Sequence, residues 1–196
     1  MFASKVTTLF LAAMLIMPLA FAAGFQKINI TKYVPKEALV YPVGLLNPDA
    51  KFRLAIGLPL RDEAGREQLI KSLFDPNSPN YRHWLTPKEY TRRFGPTQAD
   101  YDKVAAFFIS QGFKVTRFDN RALLDIEGEV KMVEATFHIT LREYKHPTEN
   151  REFFMPDEDS ASINLDIPIS SITGFSNFTR PCPAWGCGSP TRTKVE

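Results

Sequence analysis

From Lys51 onward the chain alternates. Phe52, Leu54, Ile56 and Leu58 are interleaved with Lys51, Arg53, Ala55 and Gly57. A period of two sends one side of an extended chain into a core and the other toward water, so this stretch reads as a strand. The period then lengthens to that of a helix: Asp62 offers an N-cap, and Leu69, Ile70, Leu73 and Phe74 lie on the inner side of a helix running to about Phe74. Asp75-Pro76-Asn77-Ser78-Pro79-Asn80 is all turn formers and reads as a loop. Thr86-Pro87-Lys88-Glu89 joins a capping hydroxyl, a proline at the first helical position and an acid three residues on, which predicts a short helix. Gly95-Pro96-Thr97 opens another, whose stripe of Tyr101, Val104, Phe107 and Phe108 ends at Gly112.

Past Gly112 the strand pattern returns. Phe113 to Phe118 and Ala122 to Ile126 flank a turn at Asp119-Asn120 and predict a hairpin. A helix from about Glu129 to Phe137 has Val130, Val133 and Phe137 on one side, and strands Ile139 to Tyr144 and Glu152 to Met155 enclose a polar loop. The order is strand, helix, strand, strand, helix, strand, with extra helices in the first crossover. It predicts an α+β fold of the ferredoxin-like βαββαβ kind, an antiparallel sheet with helices on one face.

Residues 23–50 carry little periodicity and contain Pro35, Pro42 and Pro48, so they read as an extended leader laid over a surface or left mobile. Ahead of them, Lys5, the apolar run Val6 to Ala22 and the small-residue ending Ala20-Phe21-Ala22 are the parts of a secretory signal, residues 1–22, cut between Ala22 and Ala23. The competing reading, an uncleaved anchor, meets a run barely long enough to cross a bilayer and broken by Pro18. Once the signal is removed, no membrane association is expected, and the protein is expected to be secreted or periplasmic.

Composition narrows the classes further. Of 196 residues 44% are hydrophobic and 23% charged, as in a globular chain, and 24 basic against 22 acidic residues leave no field that would gather nucleic acid. The aromatic pair Phe153-Phe154 lacks the glycine-aromatic consensus of an RNA-binding sheet. Cys182 and Cys187 stand in a tail, 179–196; Pro183 and Gly186 let the segment turn and close a small disulfide loop, with free thiols or a bond to a partner as the other readings. Two sulfurs without a nearby histidine do not make a zinc site.

The chain carries no Gly-x-Ser-x-Gly elbow, P-loop, dinucleotide fingerprint or His-Glu-x-x-His. His83, His138 and His146 are scattered and read as surface or partly packed residues, and acid runs such as Asp157-Glu158-Asp159 read first as solvated charge. No cofactor and no enzymatic activity are expected.

One long run of residues is more specific. Leu58-Pro59-Leu60-Arg61, then Leu73-Phe74-Asp75-Pro76-Asn77-Ser78-Pro79-Asn80-Tyr81-Arg82-His83-Trp84-Leu85-Thr86-Pro87-Lys88-Glu89-Tyr90, then Phe94-Gly95-Pro96, resembles the activation prodomain of the sedolisins, the kumamolisin-like serine-carboxyl peptidases. Gln111-Gly112-Phe113-Lys114-Val115, Val133-Glu134-Ala135-Thr136-Phe137 and Ile172-Thr173-Gly174-Phe175-Ser176-Asn177-Phe178 extend the likeness over 51–178. Phe107 stands where the family often has tryptophan, and Arg82 where glycine is common.

The resemblance implies a propeptide that assists folding of a sedolisin-like protease domain, covers its active site and is removed in acid. The family's catalytic Glu, Asp and Ser, the last in a Ser-Gly-Thr-Ser setting, are not found before Glu196, so no catalytic residue is carried over. The expected partner is a sedolisin-like catalytic domain, met in trans or in a longer zymogen of which this is the front; a secreted structural or adhesive module is the other reading. In the prodomain reading the sheet lies on the protease, the stretch from about Asp166 to Thr191 runs toward the cleft, Arg180 is the candidate processing point, and Asp157, Glu158 and Asp159 are candidate acid-sensitive contacts.

Overall fold

The computed structural model describes residues 25–30 and 41–179. Along them run β1 (Phe25–Asn29), β2 (Tyr41–Leu45), β3 (Lys51–Gly57), α1 (Glu63–Phe74), α2 (Pro87–Phe94), α3 (Gln98–Ser110), β4 (Lys114–Arg117), β5 (Leu123–Glu129), α4 (Val130–Phe137), β6 (Leu141–Lys145), β7 (Glu152–Pro156), β8 (Ser160–Asn164) and β9 (Ser171–Thr173). The alternation at Lys51–Gly57 does produce a strand, and it is central: the main sheet has the order β4-β5-β3-β9, every pair antiparallel.

Register decides which side chains share a face. Leu54 lies opposite Ile126 and Ile56 opposite Leu124, and all four are sealed from water. Helices α3 and α4 cover this side with Val104, Ala105, Phe108, Val130, Val133 and Phe137. Phe108 meets Phe113 edge-on and Phe137 at a tilt, and Phe137 meets Phe175 edge-on. Burying each such ring contributes on the order of 1.5–3 kcal/mol, and this cluster is the principal core.

Since β3 and β4 both run antiparallel to β5, they share a direction with β5 between them, as in a split βαβ unit. The α+β class holds. One placement differs from the expected ferredoxin-like plan: the strand beside β3 is β9, not the 139–144 segment. Two local causes are visible. His138 ends α4 in the left-handed region, at φ 53°, and turns the chain away from the main sheet. Gly174, at φ 109°, lets the chain after β9 lie close on β3, where an added Cβ would come 2.7 Å from the Arg53 carbonyl oxygen.

The diverted segment, β6, is the middle of a second sheet, β2-β6-β7, and a two-stranded ribbon joins β1 to β8. Residues 25–29 and 41–45, expected as parts of an extended leader, are thus extended but paired into sheets. Helices α1 and α2 form a separate lobe around Leu69, Leu73 and Phe94 rather than joining the layer on the main sheet.

Candidate docking surface and chain exit

The side of the main sheet that faces away from α3 and α4 is built from the other half of the alternation. Lys51 and Arg53 of β3 share it with Glu127 and Glu129 of β5, Lys114 and Thr116 of β4, and Ser171 and Thr173 of β9. Seven of these eight are exposed outright, and Glu129 is half-buried. Arg53 reaches diagonally to Asp125 and donates a hydrogen bond to it. The Asp125 side chain is 12% exposed and that of Arg53 68%, so an exposed arginine stands over a nearly buried acid. That hydrogen bond, followed by the charge of Asp125, holds Arg53 above its ordinary value.

At one end of this face Lys131 bridges two carboxylates, 2.8 Å from Asp49 and 2.8 Å from Glu129, while Lys51 stands 3.5 Å from Glu129. The hydrogen bond from Lys131 is the leading reason that Asp49 and Glu129 both lie below the ordinary carboxylate range. Backbone bonds from Val130 to the Ala50 carbonyl and from Lys131 to that of Pro48, each 3.0 Å, fasten the same corner. Exposed pairs of this sort are screened by water and salt, so they arrange charge more than they hold the fold.

The acids at 157–159 occupy the turn between β7 and β8, and each makes a contact to a neighbouring element of the fold. Asp157 accepts hydrogen bonds from the Arg142 guanidinium and, at 2.7 Å, from the Tyr144 hydroxyl. Burial first, and then the bond it donates to Asp157, pushes the Tyr144 hydroxyl up to about 12. Glu158 accepts from the Thr140 backbone at 2.8 Å, and the Asp159 carbonyl accepts from the Ile30 N–H at 2.9 Å. The turn therefore ties together the β1–β8 ribbon and the start of β6.

The described chain leaves the domain at a second built feature. Arg151, on the β6–β7 loop, donates to the carbonyls of both Asn177 and Phe178, and Asn177 Oδ1 accepts from the Phe154 N–H at 2.7 Å. Phe178 packs on Tyr144, Phe153 and Met155 and stacks on the His146 ring with centroids 4.5 Å apart. His146 is buried, and neither it nor Arg151 stood out in the sequence; a histidine next to Pro147 carries no periodic signal. The alternation did mark Lys51 and Arg53 as facing water.

Ala22, Ala23, Arg180, Cys182 and Cys187 lie outside the described residues. Among the described residues no group of three or more His, Cys, Asp or Glu is placed to hold a metal ion, and no helix is long and apolar enough to cross a membrane.

Comparison with known proteins gives this architecture a relation. The family described as Pro-kumamolisin, activation domain, matches residues 41–178, from the first residue of β2 to the gripped Phe178. Xanthomonalisin of Xanthomonas sp. (strain T-22) is 26% identical over 139 residues, which cover 70% of this chain and 17% of that protein. Sedolisin of Pseudomonas sp. (strain 101) is 26% identical over 145 residues, 72% of this chain and 24% of its own length. Tripeptidyl-peptidase SED1 of Arthroderma otae is 24% identical over 139 residues, 69% of this chain and 21% of its own. The chain thus spans about a fifth of the length of the relatives it matches, and on the extent of the family match it belongs to the pro-kumamolisin activation domains, the prodomains of the sedolisin-type peptidases.

Proposed function

We propose that this chain is a secreted propeptide that masks a sedolisin-like serine peptidase, assists its folding and lets it go as the medium turns acid. The observation that carries this is the match of an activation-domain family to the folded unit from Tyr41 to Phe178. This unit does no bond-breaking; it offers a surface. The surface that suits the role is the open face of the main sheet, where Arg53, Lys51, Lys114, Glu127 and Glu129 present both signs of charge around the neutral Thr116 and Thr173.

The acid response follows from sign. Glu129 and Asp49 titrate below their ordinary range in the folded chain, so the ion pairs they make are intact above about pH 4 and lost as pH falls through the lowered values. Carboxylates on the open face that pair with cations of a partner would be neutralised in the same direction. Asp157, Glu158 and Asp159 act in this scheme mainly by holding the β7–β8 turn. Beyond Phe178 the chain would run toward the cleft, with Arg180 as the processing point and Cys182 and Cys187 able to close a loop after it. Export follows from the signal read at residues 1–22, cut between Ala22 and Ala23.

Titrating the purified chain against a sedolisin-like enzyme tests this reading. Inhibition at about pH 6 that fades toward about pH 3.5 is the expected result, and peptide hydrolysis by the chain alone would overturn it.

The lengths of the relatives favour a second form of the same reading, in which the partner is continuous with this chain as a longer zymogen. The reading frame downstream, searched for a Ser-Gly-Thr-Ser segment, separates the two.

A further inference from the structure

We propose that the β6–β7 hairpin is a protonation-sensitive clamp on the chain exit, with His146 as the group that opens it and Arg151 as the residue that orients the departing segment. The inference rests on the propeptide reading for its biological use, though not for its geometry.

The clamp has three grips on residues 176–178. Arg151 holds the two carbonyls of Asn177 and Phe178; Asn177 exchanges bonds with the backbone of Phe154; and the Phe178 ring is caught between His146, face to face, and Phe153, edge-on at 5.0 Å. Each grip belongs to the hairpin or to the residue just beyond its turn. The first two fix the path of the backbone, and the third depends on where the His146 ring sits.

That ring is set by its own loop. Its Nδ1 accepts from the Glu149 N–H at 3.0 Å and, less closely, from the Thr148 N–H at 3.4 Å. Two N–H groups aimed at one ring nitrogen require that nitrogen to be bare, so the ring in this arrangement is neutral, with its proton on Nε2. Adding a proton to Nδ1 turns the acceptor into a donor facing two donors. The side chain is 5% exposed, so a charged ring has almost no water to compensate it in place.

Among the described residues the charged groups around His146 are few. Glu149 Oε1 stands 4.0 Å from Nε2, and the other Glu149 oxygen accepts from Arg151 Nε. Lys145 precedes His146 and pairs in register with Glu152 across the hairpin; from β7 the facing group is Phe153, and from the exit segment Phe178, both uncharged. A protonated ring draws Glu149 toward itself and away from Arg151. The same proton thus breaks the loop that seats the ring and loosens the arginine that holds the carbonyls. With the ring neutral, residues 176–178 are held; with the ring protonated, Phe178 loses its seat.

The test uses the purified chain without any protease, so its failure leaves the propeptide reading standing, and a failure of protease binding leaves the clamp standing. Amide hydrogen exchange, corrected for the intrinsic effect of pH, is followed at Thr148, Glu149 and residues 176–178 between about pH 7.5 and about pH 5. Protection falling roughly tenfold or more on acidification, with His146→Asn keeping it because the amide oxygen accepts but does not titrate, is the expected result. Unchanged protection in the native chain, or an equal loss in His146→Asn, overturns the proposal. Should that variant fail to fold, imidazole nitrogen shifts of the native chain decide: a bare Nδ1 at neutral pH, with ring protonation tracking the loss of protection, supports the clamp, and protonation without that loss overturns it.

Discussion

Behind the main sheet, Leu54, Ile56, Phe108, Leu124, Ile126 and Phe137 are shut off from water, whereas the α1–α2 lobe buries Leu69, Leu73 and Phe94 and leaves Ile70, Phe74 and Trp84 in the open. What the lobe lacks in burial it replaces with short-range polar bonds. Asp62 caps α1 at the Gly65 N–H, Asn77 N–H donates to Asp75, Asn80 N–H to Ser78, and Arg82 N–H to the last turn of α1. Thr86 and Glu89 close a reciprocal capping box on α2, and Arg61 reaches the carbonyls of Gly95 and Arg92 at its far end. A core of packed apolar groups asks of each position mainly size and shape. A turn held by a particular oxygen asks for a particular residue. That is why the most recognisable stretch of the sequence, Asp75 to Tyr90, lies in the less buried region.

The contrast is sharpest in large-to-small substitutions. Phe108→Ala opens a cavity in the principal core and is expected to cost about 3–5 kcal/mol, seen as a lower midpoint of urea unfolding for the whole domain. Phe94→Ala removes the centre of the small cluster; hydrogen exchange should show α1 and α2 losing protection while β3 and β5 keep theirs. Equal loss in both places would mean that the lobe and the sheet form one cooperative unit. Thr86→Ala tests the polar side of the comparison. Losing the cap should cost about 1 kcal/mol, and Thr86→Ser should restore most of it.

Two smaller effects remain. Arg82 holds φ 58°, a strained value for a residue with a Cβ, and its guanidinium lies 5.0 Å from the Tyr81 ring centre. Arg82→Gly relieves the strain but gives up that contact and frees the unfolded chain, for a net gain of about 0.5 kcal/mol in thermal unfolding. Glu89 titrates below its ordinary value, chiefly because the Thr86 N–H donates to it. The stability it lends α2 is present above about pH 4.5 and lost as pH falls through the lowered value. Glu89→Gln, which keeps an acceptor, should flatten that acid limb in a circular-dichroism titration. An unchanged limb would show that the cap does not sense acid.

Elements with a strong local signal were legible in the chain. β3 came from its alternation, α2 from its capping box, α3 and α4 from their apolar stripes, and β4 and β5 from the turn between them. The strand expected over Ile139 to Tyr144 is legible as a strand, found at Leu141–Lys145, but not in its partner: the second βαβ unit calls for a strand in the main sheet, and the left-handed His138 that diverts it has no sequence mark of its own. β9 has three residues, too few for a period. β8 does alternate, burying Ala161 and Ile163, but its polar positions are serines and asparagine, which resemble a loop. Of the candidate site residues, the acids at 157–159 were found as a run, while Tyr144, Arg142 and Thr140, which they bind, come from another strand and its approach.

The three-residue β9 sets a timetable for synthesis. β3 is threaded near position 51, yet its outer neighbour is not made until position 173, and the ribbon partner of β1 emerges only after position 160. On the ribosome the sheet therefore stands open along one border until nearly the whole unit has been translated. Phe175 and Phe178 follow β9, so the principal core and the cluster on the β6–β7 hairpin also close only at the end of the unit's synthesis.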